Sequence, residues 1–184
     1  MERLTCDRPV PDHLRGGVVA LGNFDGFHRG HQAVVGRAVE RARAEGRPVL
    51  VASFDPHPVR FFVPDAPPFR LTTLDQRQRL FGAAGADAML VFRFDAALAA
   101  VTPEAFIADW LIGRAGASSV ITGQDFTFGK ARSGNVATLG KRLDLFGGRL
   151  DAYLLQAALK DRHPIADAHV TLPLSARRSV ARYS

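Results

Sequence analysis

The chain has 184 residues, of which 47% are apolar and 23% charged, and its formal net charge at pH 7 is +6. This length suits one folded domain, and the balance of apolar and charged residues is typical of globular rather than disordered proteins. No apolar run approaches the length that crosses a bilayer, which argues against a membrane protein.

Strands and helices are predicted to alternate along the chain. Apolar runs predict strands at residues 17–21, 48–54, 86–92, 118–122 and 149–155. Helical periodicity and start signals predict helices at about 30–45, from Thr72 to Gly82 or Gly85, from Thr102 with Phe106, Trp110 and Leu111 on one face, and at 136–146. Repeated β-α units of this kind predict an α/β fold, a Rossmann-like parallel sheet with helices on both faces.

The most informative stretch joins the first strand to the first helix and reads GNFDGFHRGH from Gly22 to His31. Its glycines let the backbone bend and approach a ligand closely. His28 and His31 are three residues apart, on one side of the first helical turn. Unpaired backbone N–H groups and the positive end of the helix dipole attract anions there, and the imidazoles add further donors. The stretch therefore predicts a phosphate site.

Each part of this stretch also has a simpler interpretation. A histidine pair at this spacing occurs by chance on surfaces or as half of a metal site, and glycine-rich turns follow strands in many α/β proteins. The combination is more specific, because Asn23 and Asp25 stand with both histidines at the carboxyl end of an apolar strand. Open parallel sheets bind their ligands at that end.

The second predicted strand is followed by FDPHP, whose two prolines stiffen the loop that carries Asp55 and His57. A rigid turn with a solvent-facing histidine explains these residues equally well. Phe61, Phe62 and Phe69 follow in a proline-rich loop. Such a loop is typical either of a small satellite core or of a wall that shelters a flat heterocycle.

The fourth predicted strand is followed by GQDFTFG, which combines the carboxylate of Asp125 with two phenylalanines. Phenylalanines that plug the core explain this loop as well as a ligand contact does. The polar segment that comes next, with Lys130 and Arg132, is compatible with phosphate contacts or with a solvated loop.

Four blocks together resemble a known family. His28-Arg29-Gly30-His31 resembles the signature of the HxGH nucleotidyltransferase superfamily. Within that superfamily, GNFDGFHRGH, SFDPHP, RLTTLDQRQRLF and ITGQDFTFGKARSGN resemble the FAD synthetase module of bacterial bifunctional riboflavin kinase/FMN adenylyltransferase. The blocks occur in the same order as in that module and cover roughly residues 17 to 165.

The resemblance implies transfer of AMP from ATP to FMN, giving FAD and pyrophosphate, with Mg²⁺ accompanying ATP and no side chain assigned as a metal ligand. It implies that His28 and His31 are catalytic. It implies an ATP site formed by Gly22, Asn23, Phe24, Asp25 and Gly30. It also implies a flavin site formed by Asp55, Pro56, His57, Pro58, Phe62, Asp125 and Phe128.

The end of the chain departs from the family pattern. The family carries a segment close to Ile-Ser-Ser-Thr-Arg-Ile-Arg that helps to bind the triphosphate, whereas here Ala166 to His169 follow Ile165. Ser175 and Arg177 are the expected substitutes at the ATP site. We therefore predict a nucleotidyltransferase domain over residues 1–165 and a divergent basic tail over 166–184, without the riboflavin kinase domain.

Two alternatives to FMN adenylyltransferase remain open from sequence. One is a flavin- or nucleotide-binding homologue that has lost catalysis, and the other is an HxGH transferase for nicotinamide or pantetheine phosphates. Arginines at 37, 41, 43, 77 and 79 alternate with acidic residues and indicate solvated helix faces, so a nucleic-acid partner is not expected. Cys6 has no partner for an internal disulfide and no secretory signal is evident, which predicts a cytoplasmic location.

Overall fold

The computed structural model describes residues 1–145 and 149–153, and within them six strands form one sheet. The strands are β1 (Glu2–Thr5), β2 (Val18–Leu21), β3 (Val49–Asp55), β4 (Ala88–Arg93), β5 (Ser119–Gly123) and β6 (Arg149–Tyr153). Every pairing is parallel and the order is β1-β4-β3-β2-β5-β6. The predicted Rossmann-like parallel sheet is confirmed.

All five predicted strands are present, with ends that differ by one or two residues, and residues 154–155 of the last one lie outside the described part. β1 was not predicted. It has only four residues and is exposed along most of its length, so its sequence lacks the apolar run that marks the central strands. Pairing with β4 makes it a strand.

The α-helices are α1 (Arg29–Glu45), α2 (Pro58–Phe62), α3 (Leu74–Ala83), α4 (Ala96–Ala99), α5 (Pro103–Ala105) and α6 (Val136–Leu145). A π-helix, Phe106–Arg114, continues α5, and short 3₁₀ turns occupy Asp12–Leu14, Asp25–Phe27 and Lys130–Arg132. The four predicted helices correspond to α1, α3, α5 with its π-helical continuation, and α6. Phe146, the last residue of the predicted fourth helix, lies outside the described residues.

Apolar side chains cover both faces of the sheet, because successive residues of a strand point to opposite sides. On one face Val19 and Leu21 of β2 pack with the π-helix, whose Phe106 and Leu111 are buried. On the other face Val18 and Ala20 pack against α1 and α3. The four central strands, β2 to β5, are therefore buried on both sides, as is usual in parallel sheets.

The apolar face predicted for the helix that begins at Thr102 is confirmed, but most of this helix is a π-helix. Phe106 and Leu111 are buried and Trp110 packs beside them. The backbone bonds of a π-helix run from i to i+5, as where Ala115 N–H donates to the Trp110 carbonyl at 2.9 Å. This wider turn brings Phe106 and Leu111, five residues apart, to the same side.

Two predictions about α3 were wrong. Thr73, not Thr72, caps the helix, since its hydroxyl accepts from Gln76 N–H at 3.2 Å while the Gln76 side chain accepts from Thr73 N–H at 2.8 Å. Arg77 does not belong to a solvated face, because it is only 1% exposed.

The sheet topology places a crevice beside β2. The chain runs from β2 to β3 and β4 on one side and then returns to place β5 on the other side of β2. Neighbouring crossovers therefore diverge at the carboxyl ends of β2 and β5, where open α/β sheets bind ligands. None of the helices in the described residues is long and apolar enough to cross a bilayer.

Candidate active site

A cavity of about 580 Å³ opens between the carboxyl ends of β2 and β5 and the amino end of α1. It brings together most of the residues predicted from the first block with one from the block after β5. The predicted residues that line it are Gly22, Asn23, Phe24, His28, Gly30, His31 and Asp125. The cavity therefore joins sequence segments about a hundred positions apart at the predicted edge of the sheet.

The two histidines form a stacked pair at the start of α1. His28 is the N-cap of the helix, and its Nδ1 accepts from the His31 N–H at 3.3 Å. The imidazole centroids are 3.6 Å apart with planes inclined by 22°. Since Nδ1 of His28 is the acceptor, its neutral ring carries the proton on Nε2. The pair thus has one imidazole fixed by the helix start and a second stacked on it.

Burial favours the neutral form of both imidazoles. Burial lowers the pKa of His31 to about 3, helped by His28, while the Asp25 carboxylate acts in the opposite direction. Burial also lowers the pKa of His28. Nδ1 of His31 and Oδ1 of Asn23 are buried without a hydrogen-bond partner among the described residues. Buried polar atoms normally have partners, so these two are sites where a ligand would restore a hydrogen bond.

The low pKa of His31 predicts a loss of stability in acid. The unfolded chain protonates His31 near the usual value of 6.5, whereas the folded protein does so only near 3. The free energy of unfolding should therefore fall as pH decreases through this window, with His31 contributing at most about 1.4 kcal/mol per pH unit. Urea unfolding of the wild type and His31→Gln at pH 7, 6, 5 and 4 measures this. Equal pH slopes in the two proteins would contradict it.

The loop between β2 and α1, residues 22–28, has an unusual backbone that its sequence only partly explains. Phe24 adopts left-handed angles (φ 51°, ψ 25°), and Gly26 follows with φ 74°. The Phe24 side chain is buried and packs edge-to-face on His31 and on Phe81. A Cβ added at Gly22 would lie 3.0 Å from the Phe24 ring. The Phe24 ring therefore packs between the cavity and the core residue Phe81 and contacts His31.

Asp25 was expected at the ATP site, but the structure engages its carboxylate elsewhere. It accepts from the backbone N–H of Leu71 at 3.0 Å, from that of Thr72 at 2.8 Å and from the Thr72 hydroxyl at 2.7 Å. Burial alone would raise the pKa of Asp25, but these hydrogen bonds and the charge of Arg77 outweigh it, so the pKa is lowered. Asp25 ties the loop after β2 to the segment before α3.

Of the predicted residues Asp55, Pro56, His57 and Pro58, only His57 lines a second, smaller cavity. This cavity of about 340 Å³ is lined by His57, Arg60, Pro67, Pro68, Phe69 and Arg70. The His57 ring meets Phe69 edge-to-face with centroids 5.1 Å apart, and its Nδ1 accepts from Val59 N–H to cap α2. The peptide bond between Asp55 and Pro56 is cis, and Asp55 pairs with Arg70. Pro56 and His57 lie between the end of β3 and the start of α2, and Pro58 is the first residue of α2.

The remaining predicted flavin residues lie in different surroundings. Phe62 is 63% exposed and touches Phe61 and Phe94. Phe128 is buried against Phe106 and lines neither of the two cavities. Asp125, from the same loop, lines the larger cavity. Ser175 and Arg177, predicted at the ATP site, lie outside the described residues, as does the tail over 166–184.

Arg77 was missed as a site residue. Its Nη1 donates to the Ser53 hydroxyl at 2.7 Å and to the Asn23 carbonyl at 3.3 Å. A signal was present in the sequence, since Leu74, Arg77 and Phe81 share the i, i+3, i+7 spacing of an inward helix face. Because charged residues alternate along the segment, Arg77 was instead predicted to lie on a solvated helix face.

Comparison with known proteins finds related sequences. A bifunctional riboflavin kinase/FMN adenylyltransferase of Escherichia coli K12 is 40% identical over 126 residues, which are 68% of this chain and 40% of that protein. The protein of the same name from Bacillus subtilis is 30% identical over 158 residues, 85% of this chain and 49% of the relative. The chain thus spans less than half of either relative.

A crystal structure described as a macrolide-efflux protein from Streptococcus pneumoniae shares the fold, with a TM-score of 0.69 and 23% identity over 84% of this chain and 50% of that one. A model of the FAD synthetase family matches residues 10–160. That match covers most of the chain and includes all four sequence blocks. The chain belongs to the FAD synthetase family.

Proposed function

We propose that this protein is an FMN adenylyltransferase, which transfers AMP from ATP to FMN and releases pyrophosphate. The observation that carries the proposal is the stacked pair of His28 and His31 at the amino end of α1, facing a cavity in a chain of the FAD synthetase family. Both histidines would be catalytic. Ser175 and Arg177 keep their proposed role at the ATP site, outside the described residues.

The larger cavity is proposed as the ATP site. The first turn of α1 offers backbone N–H groups and the positive end of its dipole to the phosphates. Gly22 and Gly30 line the same cavity, and the unpartnered Asn23 Oδ1 marks a position for a ligand donor. Phe24 and Asp25 would support the pocket through packing and through the loop contact. Its volume of about 580 Å³ suits a nucleotide-sized ligand.

In the proposed reaction, a phosphate oxygen of FMN attacks the α-phosphorus of ATP. The bond from that phosphorus to the oxygen bridging toward the β-phosphorus breaks, and pyrophosphate leaves with the bonding electrons. Neutral imidazoles at His28 and His31 would donate hydrogen bonds to oxygens on which charge develops. Because the donors are held in place by stacking and by the helix start, little reorganisation is needed at the moment of reaction.

FMN is proposed to bind over the turn after β3. β3 neighbours β2 in the sheet, so both loops leave the same edge. Asp55, Pro56, His57 and Pro58 form this turn, and the exposed ring of Phe62 offers an apolar surface to a flat heterocycle. Asp125 would face FMN or the nucleotide from the β5 side. Phe128 would contribute indirectly, by stacking on Phe126 in the same loop.

Mg²⁺ is proposed to arrive with ATP. The described residues contain no group of three or more His, Cys, Asp or Glu side chains that could hold a metal ion. Mg²⁺ usually keeps several waters and binds through one or two carboxylates and the phosphates of its substrate. Asp125, which lines the cavity, fits that requirement. The ion would offset charge on the triphosphate.

Small molecules rather than macromolecules are the proposed partners, in the cytoplasm. Several arginines are already engaged inside the protein, since Arg3 pairs with Asp75, Arg70 pairs with Asp55 and Arg77 is buried. Guanidinium groups engaged in this way are not available to bind the phosphates of nucleic acid.

Formation of FAD tests the proposal directly. With ATP, FMN and Mg²⁺, the purified chain should produce FAD in proportion to time and enzyme, as measured by reverse-phase chromatography with flavin fluorescence. Riboflavin in place of FMN should give no FAD, because it lacks the attacking phosphate. Nicotinamide mononucleotide and phosphopantetheine should not be adenylylated. Binding of flavin or ATP without FAD formation would instead support the non-catalytic homologue, which the missing Ser/Arg segment favours.

A further inference from the structure

Arg77 is a buried charge in the middle of α3. It is 1% exposed and stands between Leu74 and Phe81 on the inward face of the helix. Burying a guanidinium costs free energy that its hydrogen bonds must offset, and burial lowers its pKa. Its Nε is buried with no partner in the described part of the chain. An apolar side chain of similar size would avoid this cost, so stability alone does not account for an arginine here.

Arg77 contacts both the loop after β2, proposed to bind ATP, and the end of β3, where the turn proposed to bind FMN begins. Nη1 donates to the carbonyl of Asn23, the residue after Gly22 in the loop that lines the larger cavity. The Ser53 hydroxyl, to which Nη1 also donates, itself donates to the same carbonyl at 2.8 Å. Nη2 lies 3.8 Å from Oδ1 of Asp55, the last residue of β3 and the second residue of FDPHP. One rigid group thus spans from the proposed ATP loop to the proposed FMN loop.

The geometry of arginine suits this bridge. A guanidinium presents five donors in a rigid plane, whereas an ammonium is a compact charge on a flexible stem. Asp55 has a second cation, Arg70, and the Asn23 carbonyl has a second donor, Ser53. Loss of Arg77 would therefore leave each loop with a partner but remove the guanidinium that contacts both, while the Ser53 hydroxyl still joins β3 to the Asn23 carbonyl.

We propose that Arg77 is a positioning residue that sets the separation between the loop at Asn23 and the turn at Asp55, and thereby aligns FMN with the α-phosphorus of ATP. This inference rests on the proposed FMN adenylyltransferase activity. Displacement of reacting groups by about 1 Å can cost about a hundredfold in rate. Arg77 therefore affects the chemical step more than the binding of either substrate alone.

The first test compares Arg77→Lys and Arg77→Met with Arg79→Lys, an exposed arginine two residues further along the same helix. Both Arg77 variants should lower kcat at least tenfold while the Kd of a non-hydrolysable ATP analogue changes less than threefold. The control should match the wild type. Methionine avoids a buried charge, so Arg77→Met should stay folded by circular dichroism. A folded Arg77 variant with kcat within twofold of wild type would overturn the proposal.

A double-mutant cycle separates positioning from a general structural defect. Ser53→Ala removes the hydroxyl that shares the Asn23 carbonyl with Arg77. If both act through the same link, the kcat loss of Ser53→Ala/Arg77→Met should be clearly smaller than the product of the two single losses. Losses that multiply would overturn the proposal.

An NMR measurement that does not depend on catalysis tests this inference separately from the proposed function. In ¹⁵N-labelled protein, Arg77→Lys should shift the amide signals of residues 22–26 and of His57, while Arg79→Lys should leave them unchanged. Shifts confined to α3 would overturn the role of Arg77. Wild-type protein that forms no FAD would overturn the proposed function alone, and the amide shifts would still decide on Arg77.

Discussion

Replacement of His31 by alanine is expected to lower kcat by about a hundredfold to a thousandfold, the usual cost of removing one preorganised donor to a developing charge. The His31 ring is held by stacking on His28 and by an edge contact with Phe24, and it is neutral because its pKa is about 3. It can therefore act as a fixed donor without a change of protonation. The KM for ATP should change much less, since only interactions stronger in the transition state raise kcat.

Steady-state measurement of FAD formation checks this result. His13→Ala is the matched control, because His13 is an exposed histidine paired with Glu2. It should keep wild-type kcat and KM. His28→Ala should also slow turnover, and its effect should not multiply with that of His31→Ala, because the two rings are in contact. A His31→Ala variant with a raised KM and unchanged kcat would make His31 a binding group.

Replacement of Asp25 by alanine is expected to lower the free energy of unfolding by about 3 kcal/mol, since each hydrogen bond to a charged group contributes about 1.5–3 kcal/mol and the losses overlap. The change leaves the N–H groups of Leu71 and Thr72 and the Thr72 hydroxyl without their acceptor. It also frees the loop that carries Phe24. Urea unfolding at pH 7 measures the effect, and FAD formation should fall with it.

Asp65→Ala is the control for this experiment, because Asp65 is exposed on the loop before α3. Its unfolding free energy should stay within about 0.5 kcal/mol of wild type. The pKa of Asp25 is lowered on folding, so its contribution is present above the usual carboxyl pKa and is lost as pH falls through the folded value. The difference between wild type and Asp25→Ala should therefore shrink in acid. A constant difference down to pH 2 would contradict the carboxylate's role.

Local patterns in the sequence were sufficient for most of the fold and for the position of the histidine pair at the start of α1. The five apolar strands and the helices between them follow from periodicity, because each buries a face that its own residues define. The placement of His28 and His31 at a helix start also follows from adjacent residues, since Gly30 and the apolar pattern after it belong to the same segment. Local patterns missed β1, whose strand conformation depends on pairing with β4.

The amino-acid sequence by itself determined the parallel α/β architecture, the family and the histidine pair, because these depend on short-range spacing and on blocks read in order. Only the tertiary structure decided what Asp25 and Arg77 do. Their partners are 46 or 47 residues away for Asp25 and 24 and 54 residues away for Arg77. From sequence alone, a carboxylate or a guanidinium is expected to be solvated. Here packing removes water from half-buried Asp25 and buried Arg77 and supplies hydrogen-bond partners from distant parts of the chain.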